Sequence, residues 1–443
     1  ALGELYEEGL GLTQNFAQAA ALFRRAAEQD HPKGQFKIGQ CYENGRGVEQ
    51  DSRRAAGWYQ MAAEAGLAAA QCALADLFLN GRGAPHDPAA AVKWISLAAE
   101  QGDPEAQYRL AQLVEEGRGV AQDSKRAIRL YLAAAENGHA QAALTLGLCY
   151  STARGVEPDF RVAAQWFRRA ADQHVAEAQF RLGQCYEEGR GVPQDLAMAI
   201  QWYVKAAEGG LSQAQERLGF CYERGGTGLP RDYGQAFKWF RMAAENGVAS
   251  AQLTLGQYYE LGQGVAKDLA AAARWYRRAA EQEVIEAAAR LGRAYDLGLG
   301  VPQDHGEAAR WLRFAAEGGE VEAQARLGQL YVQGLGVTVD HARAVEWLER
   351  AAKEGHLGAM DDLARCFQQG LGVAHRPTEA YLWFSLATAL GRLESKESRD
   401  RVGRELSNAE LDTAQGRAAE SFPLLRQKFV ARQEAARRFG QKP

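Results

Sequence analysis

Glycine pairs of the form Gly-x-Gly return along this chain at a step of about 36 residues: Gly9/Gly11, Gly45/Gly47, Gly81/Gly83, Gly117/Gly119, Gly189/Gly191, Gly262/Gly264, Gly298/Gly300, Gly334/Gly336 and Gly370/Gly372. Two units deviate without losing register. Ala153 stands in for the first glycine before Gly155, and the Gly225-Gly226-Thr227-Gly228 loop carries one extra residue. A period of this length means stacked supersecondary units, each unable to bury its apolar face alone. The length of 443 residues is therefore a number of repeats and not a number of globular domains.

Between loops each unit reads as two amphipathic helices. From Ala178 to Gly210, the residues Ala178, Leu182 and Tyr186 share one face of a first helix, and Gly183 marks a close approach to a neighbouring helix. Gly189 ends that helix, because glycine accepts the left-handed conformation a helix end commonly requires. Asp195 opens the second helix, and its counterparts Asp51, Asp87, Asp123, Asp159, Asp232, Asp268, Asp304 and Asp340 do the same; each reads as an N-cap. All nine tryptophans, from Trp58 and Trp94 to Trp347 and Trp383, occupy one repeat position. They are expected to be the buried rungs between units. An Ala-Ala pair four residues later, as at Ala62-Ala63, leaves room for the next helix.

The pattern Ala-Gln-x-x-Leu-Gly-x-x-Tyr-x-x-Gly-x-Gly-Val, followed by Asp, Ala, Trp-Tyr and Ala-Ala-Glu-x-Gly, strongly resembles the SEL-one-like repeat, a relative of the tetratricopeptide repeat. The resemblance covers roughly residues 1–391 in about eleven helix-turn-helix repeats. It implies an all-α, right-handed superhelical solenoid with first helices on the concave side, and adaptor or scaffold roles, often in bacteria. Ser407 and Glu410 form a capping-box pattern beyond the last repeat. Residues 392–443 are expected to be a helical cap and a basic tail. The chain opens in phase inside a first helix and without Met, which leads to the expectation that the natural protein extends upstream of Ala1.

Bulk properties exclude several classes. A net charge of -4 provides no global field toward nucleic acid or anionic lipid, and no apolar run is long enough to span a membrane. The tail turns basic at Arg426, Lys428, Arg432, Arg437, Arg438 and Lys442, which reads as a solvated helix face before it reads as a binding arm. Cys41, Cys149, Cys185, Cys221 and Cys366 share one position beside the core face. Stacked helices hold equivalent positions about 8–10 Å apart, too far for a bridge. Cysteine-rich members of the resembled family place two cysteines eight residues apart; the matching positions here, such as Ala27 and Gln35, hold none. Unpaired thiols suit a reducing cytosol, although a leader upstream of Ala1 would place the chain in the periplasm or outside the cell.

His31, His139 and His356 share a turn position, and His305 and His341 follow capping aspartates, so repetition explains them. No His-Glu-x-x-His, Cys-x-x-Cys or Gly-x-Ser-x-Gly is present, and the Gly-x-Gly loops follow no strand. No catalytic, metal or cofactor site is expected. The face turned away from Leu182 carries the candidate partner surface. It holds aromatics at Phe36, Tyr108 and Phe180, and basic residues at Lys37, Arg109, Arg181, Arg217, Arg290 and Arg326. A glutamine row follows at Gln40, Gln112, Gln184, Gln257 and Gln329, and an acidic row at Glu43, Glu115, Glu187, Glu223, Glu260 and Asp296. The competing reading of these rows is a solvated face laced with intrahelical and inter-repeat charge pairs. The functional expectation is a non-enzymatic adaptor gripping a protein or peptide on this concave face. The alternative is a cell-envelope or secreted scaffold for an export, secretion or host-interaction assembly.

Overall fold

The computed structural model describes residues 2–226 and 228–438, with side chains described as far as Glu434. Arg437, Arg438 and Lys442 of the basic tail lie outside the described side chains. Contacts divide the chain into two compact units, one running to Ala214 and including Gly226–Leu229, the other comprising Gln215–Gly225 and the chain from Pro230 onward.

The first unit contains α1 (Leu2–Glu8), α2 (Phe16–Ala27), α3 (Pro32–Asn44), α4 (Ser52–Glu64), α5 (Ala68–Asn80), α6 (Pro88–Glu100), α7 (Pro104–Glu116), α8 (Ser124–Glu136), α9 (Ala140–Thr152), α10 (Phe160–Ala171), α11 (Ala176–Glu188) and α12 (Leu196–Glu208). The boundary falls in α13 (Ser212–Arg224). The second unit continues with α14 (Tyr233–Glu245), α15 (Ala249–Leu261), α16 (Leu269–Ala280), α17 (Ile285–Leu297), α18 (His305–Glu317), α19 (Val321–Gln333), α20 (His341–Lys353), α21 (Leu357–Gln369), α22 (Pro377–Ala389), α23 (Ser395–Gly403) and α24 (Asn408–Arg438). Odd-numbered helices through α21 are the first helices of repeats, and each packs on the second helix that follows it. In the second unit α17 also meets α19, and α19 meets α21, so successive first helices form one face.

Local chemistry sets the helix ends. In all nine positions the repeated aspartate accepts backbone N–H groups of the first turn, as Asp123 does from Arg126. Its own N–H closes the preceding loop; that of Asp123 donates to the Val114 carbonyl at 3.1 Å. Removing one cap with Asp123→Ala is expected to cost about 1 kcal/mol, read as a small drop in thermal midpoint with helicity unchanged. First helices carry a less regular set of caps, among them His139 and His356, whose Nδ1 accepts from Ala142 and Ala359.

The two loop glycines have different duties. The first is a left-handed helix end, and Ala153 adopts that conformation at φ 58°. The second lies against the start of the preceding repeat's second helix. A Cβ on Gly191 would sit 1.9 Å from the Phe160 carbonyl oxygen. Alanine therefore appears in this chain at the first position of the pair.

The rungs of the core occupy the repeat position after the tryptophan position, which in α8 is held by Leu130. Tyr59, Tyr131, Tyr203, Tyr276, Ile95 and Phe240 are 3% exposed or less. The indoles are flanking walls: Trp166, Trp202, Trp239 and Trp311 are 7–9% exposed, while Trp58, Trp94, Trp275, Trp347 and Trp383 are half-buried. Several carry a cation from the next turn over the ring, Lys205 at 3.9 Å from Trp202 and Arg350 at 4.5 Å from Trp347. Tryptophan tolerates this half-covered site because one face is apolar and the other can accept a cation. Cys41, Cys72, Cys149, Cys185 and Cys366 form no disulfide, and burial pushes the thiols of Cys41, Cys185 and Cys366 up to about 11.

After the last repeat, Leu425 of α24 joins the core formed by Leu348, Leu363 and Leu386, with Phe422 and Phe429 packed beside it. Lys428 pairs with Glu354 at 2.7 Å. Among the described residues no helix is long and apolar enough to cross a membrane.

Candidate functional site

The outward rows of the first helices are largely engaged with their neighbours. The acidic row serves the core: the hydroxyls of Tyr59, Tyr131 and Tyr203 donate to Glu43, Glu115 and Glu187 at 2.7–2.8 Å, and Tyr276 donates to Glu260. Each pair spans 16 residues, from the end of a first helix to the middle of the second. Burial and the facing carboxylate push the phenols of Tyr59, Tyr131 and Tyr276 well above the usual tyrosine range, so they remain donors at any physiological pH. Arg24, Arg277 and Arg313 reach Tyr42, Tyr295 and Tyr331 across a complementary span of 18 residues. Sequence reading finds neither relation, although the constant spacings were present to be counted.

The candidate aromatics cover these tyrosines. Phe36 lies 5.6 Å from Tyr59, Tyr108 lies 5.6 Å from Tyr131, and Phe180 lies 5.5 Å from Tyr203. Phe180 is 7% exposed, and Tyr108 also stacks on His139. The basic candidates are paired: Lys37 with Glu7 at 2.9 Å, Arg109 with Asp76, and Arg181 with Glu177 at 2.8 Å. Arg217 is half-buried in α13. In the glutamine row, Gln112 donates to Tyr108, Gln184 accepts from Arg181, Gln257 donates to Glu286 and Gln329 donates to Asp362. Gln40 is half-buried, and its carbonyl receives Asn44.

One place on the first-helix face of the second unit is open. A groove of about 670 Å³ lies over α15 to α19. Ala289 stands there where Phe36, Tyr108 and Phe180 stand in other repeats, and Leu312 stands where Tyr59, Tyr131 and Tyr203 stand. The next repeat holds the same small pair, Ala325 and Leu348, at 3% and 0% exposure, so the missing rings alone do not open the space. Leu312 also has no hydroxyl for Asp296. That carboxylate, 3% exposed, instead receives Arg326 at 2.6 and 2.8 Å and lies 3.2 Å from His305.

Arg290 forms the opposite wall, held by Glu260 at 3.1 Å and Glu286 at 2.9 Å. Glu320 and Glu322 close one end. Burial raises the Glu320 carboxyl above the usual range even though it caps α19. Glu322 is lowered, first by its hydrogen bond from His356 and then by Arg432 of α24. The groove thus brings together Arg290 and Arg326 from the candidate list, with Gln257 and Gln329 hydrogen-bonded to its edge. The candidates on α3, α7 and α11 belong to the other unit. Ala289 escaped sequence reading because an alanine looks like background in a chain rich in alanine.

A search of the curated proteins found no match. The Sel1 repeat model matches eleven successive stretches, from residues 1–31 and 32–67 to 321–356 and 358–391. Among solved structures, the chain is similar to a protective antigen of uropathogenic Escherichia coli described as displaying an SLR fold. The two are 35% identical with a TM-score of 0.71, over 98% of this chain and 93% of that one. A Sel1 repeat protein from Oxalobacter formigenes is 33% identical over 55% of this chain and 95% of its own, with a TM-score of 0.47.

Proposed function

Because this chain belongs to the Sel1 repeat family, whose members are generally protein-interaction scaffolds, we propose that it is a non-enzymatic scaffold that holds a protein partner on its first-helix face, with the groove beside Ala289 as the principal contact. The observation that carries this reading is the groove itself, floored by Ala289 and Leu312 and edged by the exposed Leu297. On α3, α7 and α11 the face spends its rings and charges on its own repeats. Here it exposes an apolar floor bounded by charges, the arrangement in which a buried anchor from a partner gains most. The candidates Phe36, Lys37, Tyr108, Arg109, Phe180 and Arg181 are proposed as accessory polar surface, since each already has a neighbour. Residues 392–443 act in this reading as the closing cap, supported by the burial of Leu425 on the last repeats.

Ala289→Phe tests the assignment while restoring the residue type of Phe36 and Phe180, so the fold is expected to persist. Capture of the native partner by the full chain should fall by more than about tenfold, with the circular dichroism spectrum unchanged. Capture at the original level would refute the groove as the contact.

A further inference from the structure

Comparison of one repeat with the others exposes a second departure at the same place. The last residue of the first helix is polar at Asn44, Asn80, Glu116, Thr152, Glu188 and Arg224, and again at Gln333 and Gln369; in α15 and α17 it is Leu261 and Leu297. These leucines are 58% and 52% exposed, and Leu297 lines the groove. Nothing in the fold requires leucine at a position where eight other repeats use polar residues. The apolar floor therefore continues onto an apolar rim at Leu297.

Charge at the groove is unbalanced. Its lining contains the carboxylates Glu260, Glu286, Asp296, Glu320 and Glu322 against the guanidiniums Arg290, Arg293 and Arg326. Arg326 is taken up by buried Asp296, and Arg290 is shared between Glu260 and Glu286. Glu260 and Glu286 thus face Arg290, Glu286 also accepts from Gln257, Arg293 lines the groove three residues beyond Arg290, and the Glu286 side chain is 48% exposed. At the far end Glu322 is already met by His356 and Arg432.

Resting on the scaffold reading above, we infer that the groove takes a peptide segment of a partner in which a lysine or arginine adjoins a large aliphatic side chain. The aliphatic group sits on Ala289, Leu312 and Leu297, and the cation lies against Glu286 and Glu260. An acidic segment would bring like charge to this wall, a juxtaposition that penalises wrong partners. Attraction between a partly exposed carboxylate and a peptide cation is screened by salt, which makes the ionic-strength dependence part of the signature.

The test uses two labelled synthetic peptides, one alternating leucine with arginine and one alternating leucine with glutamate, titrated into the full chain and followed by fluorescence anisotropy. The arginine peptide should bind and the glutamate peptide should not. Glu286→Gln, which keeps size and hydrogen bonding, should weaken the arginine peptide by about fivefold or more and flatten its salt dependence. Ala289→Phe should abolish binding. The inference is overturned if the two peptides bind alike, if neither binds, or if Glu286→Gln leaves affinity and salt dependence unchanged. A second copy of this chain as occupant would appear as concentration-dependent self-association removed by Ala289→Phe, and would also overturn it. If Ala289→Phe blocks native partner capture while the arginine peptide fails to bind, the partner chemistry is wrong and the scaffold site stands. If Ala289→Phe leaves capture intact, the site itself is wrong.

Discussion

Tyr131→Ala is expected to lower unfolding stability by about 3–5 kcal/mol, among the largest effects a single side chain has in this chain. The ring is 1% exposed, packs against Tyr108 at 5.6 Å and donates from its hydroxyl to Glu115 at 2.8 Å. Its loss leaves a void between α7 and α8 that neighbouring helices cannot fill without breaking their own contacts. Tyr131→Phe separates the two contributions. It keeps the ring and removes only the hydrogen bond, at about 1–2 kcal/mol, because Glu115 retains Arg154 at 3.0 Å. Trp58→Ala should cost less than Tyr131→Ala, near 2 kcal/mol, since that indole already keeps part of its surface in solvent. Urea unfolding followed by circular dichroism gives the ranking, and hydrogen exchange should place the Tyr131→Ala loss in α7, α8 and the repeats beside them. Stability in such arrays is approximately a sum of unit and interface terms. Equal losses for Tyr131→Ala and Trp58→Ala would contradict the assignment of the rung.

The second large effect comes from a residue with no side chain. Gly191→Ala should destabilise by about 3–5 kcal/mol, combining the left-handed φ of +75° with a Cβ placed 1.9 Å from the Phe160 carbonyl oxygen. Both partners are backbone, so no rotamer change relieves the contact; α11 and its loop must move away from α10. Gly189→Ala, two residues earlier, should cost only about 1–2 kcal/mol. Its nearest neighbour would be the Gln194 Cβ at 3.2 Å, and Ala153 already occupies the equivalent place in another repeat. Thermal melts of the two variants should therefore differ clearly in midpoint. Similar midpoints would mean that the second glycine is only a turn residue and not the point of contact between repeats.

The parts of this architecture legible in sequence are those set by one residue's own chemistry. The nine capping aspartates and the glycine helix ends could be read directly, because a carboxylate beside orphan N–H groups and a residue at positive φ carry their function with them. The identity of the rung was harder. Trp202 and Tyr203 differ by one helical step of about 100°, and both are apolar enough to be buried, so the rarer residue attracted the assignment. Only the position of the next helix makes Tyr203 the interior residue.

The candidate surface shows the same limit more sharply. Residue phase puts Arg290 and Arg326 on one face of their first helices, and both line the groove. It does not show that Arg290 reaches Glu260 thirty residues earlier, or that Arg326 reaches Asp296 across the same interval, because those distances depend on how repeats stack. The groove itself is a missing volume. Ala289 and Leu312 on its floor draw notice only beside Phe180 and Tyr203, and the same pair at Ala325 and Leu348 stays buried in the next repeat, so residue type alone does not mark the groove.

Hydrogen–deuterium exchange of the full chain, with and without its captured native partner, tests the central claim most directly. The account expects protection concentrated in α17, in the parts of α15, α16, α18 and α19 that line the groove and in the loop at Leu297, with little change in α14 and in the first unit. Protection confined to the second helices, or absent from α17 while the partner is bound, would contradict it.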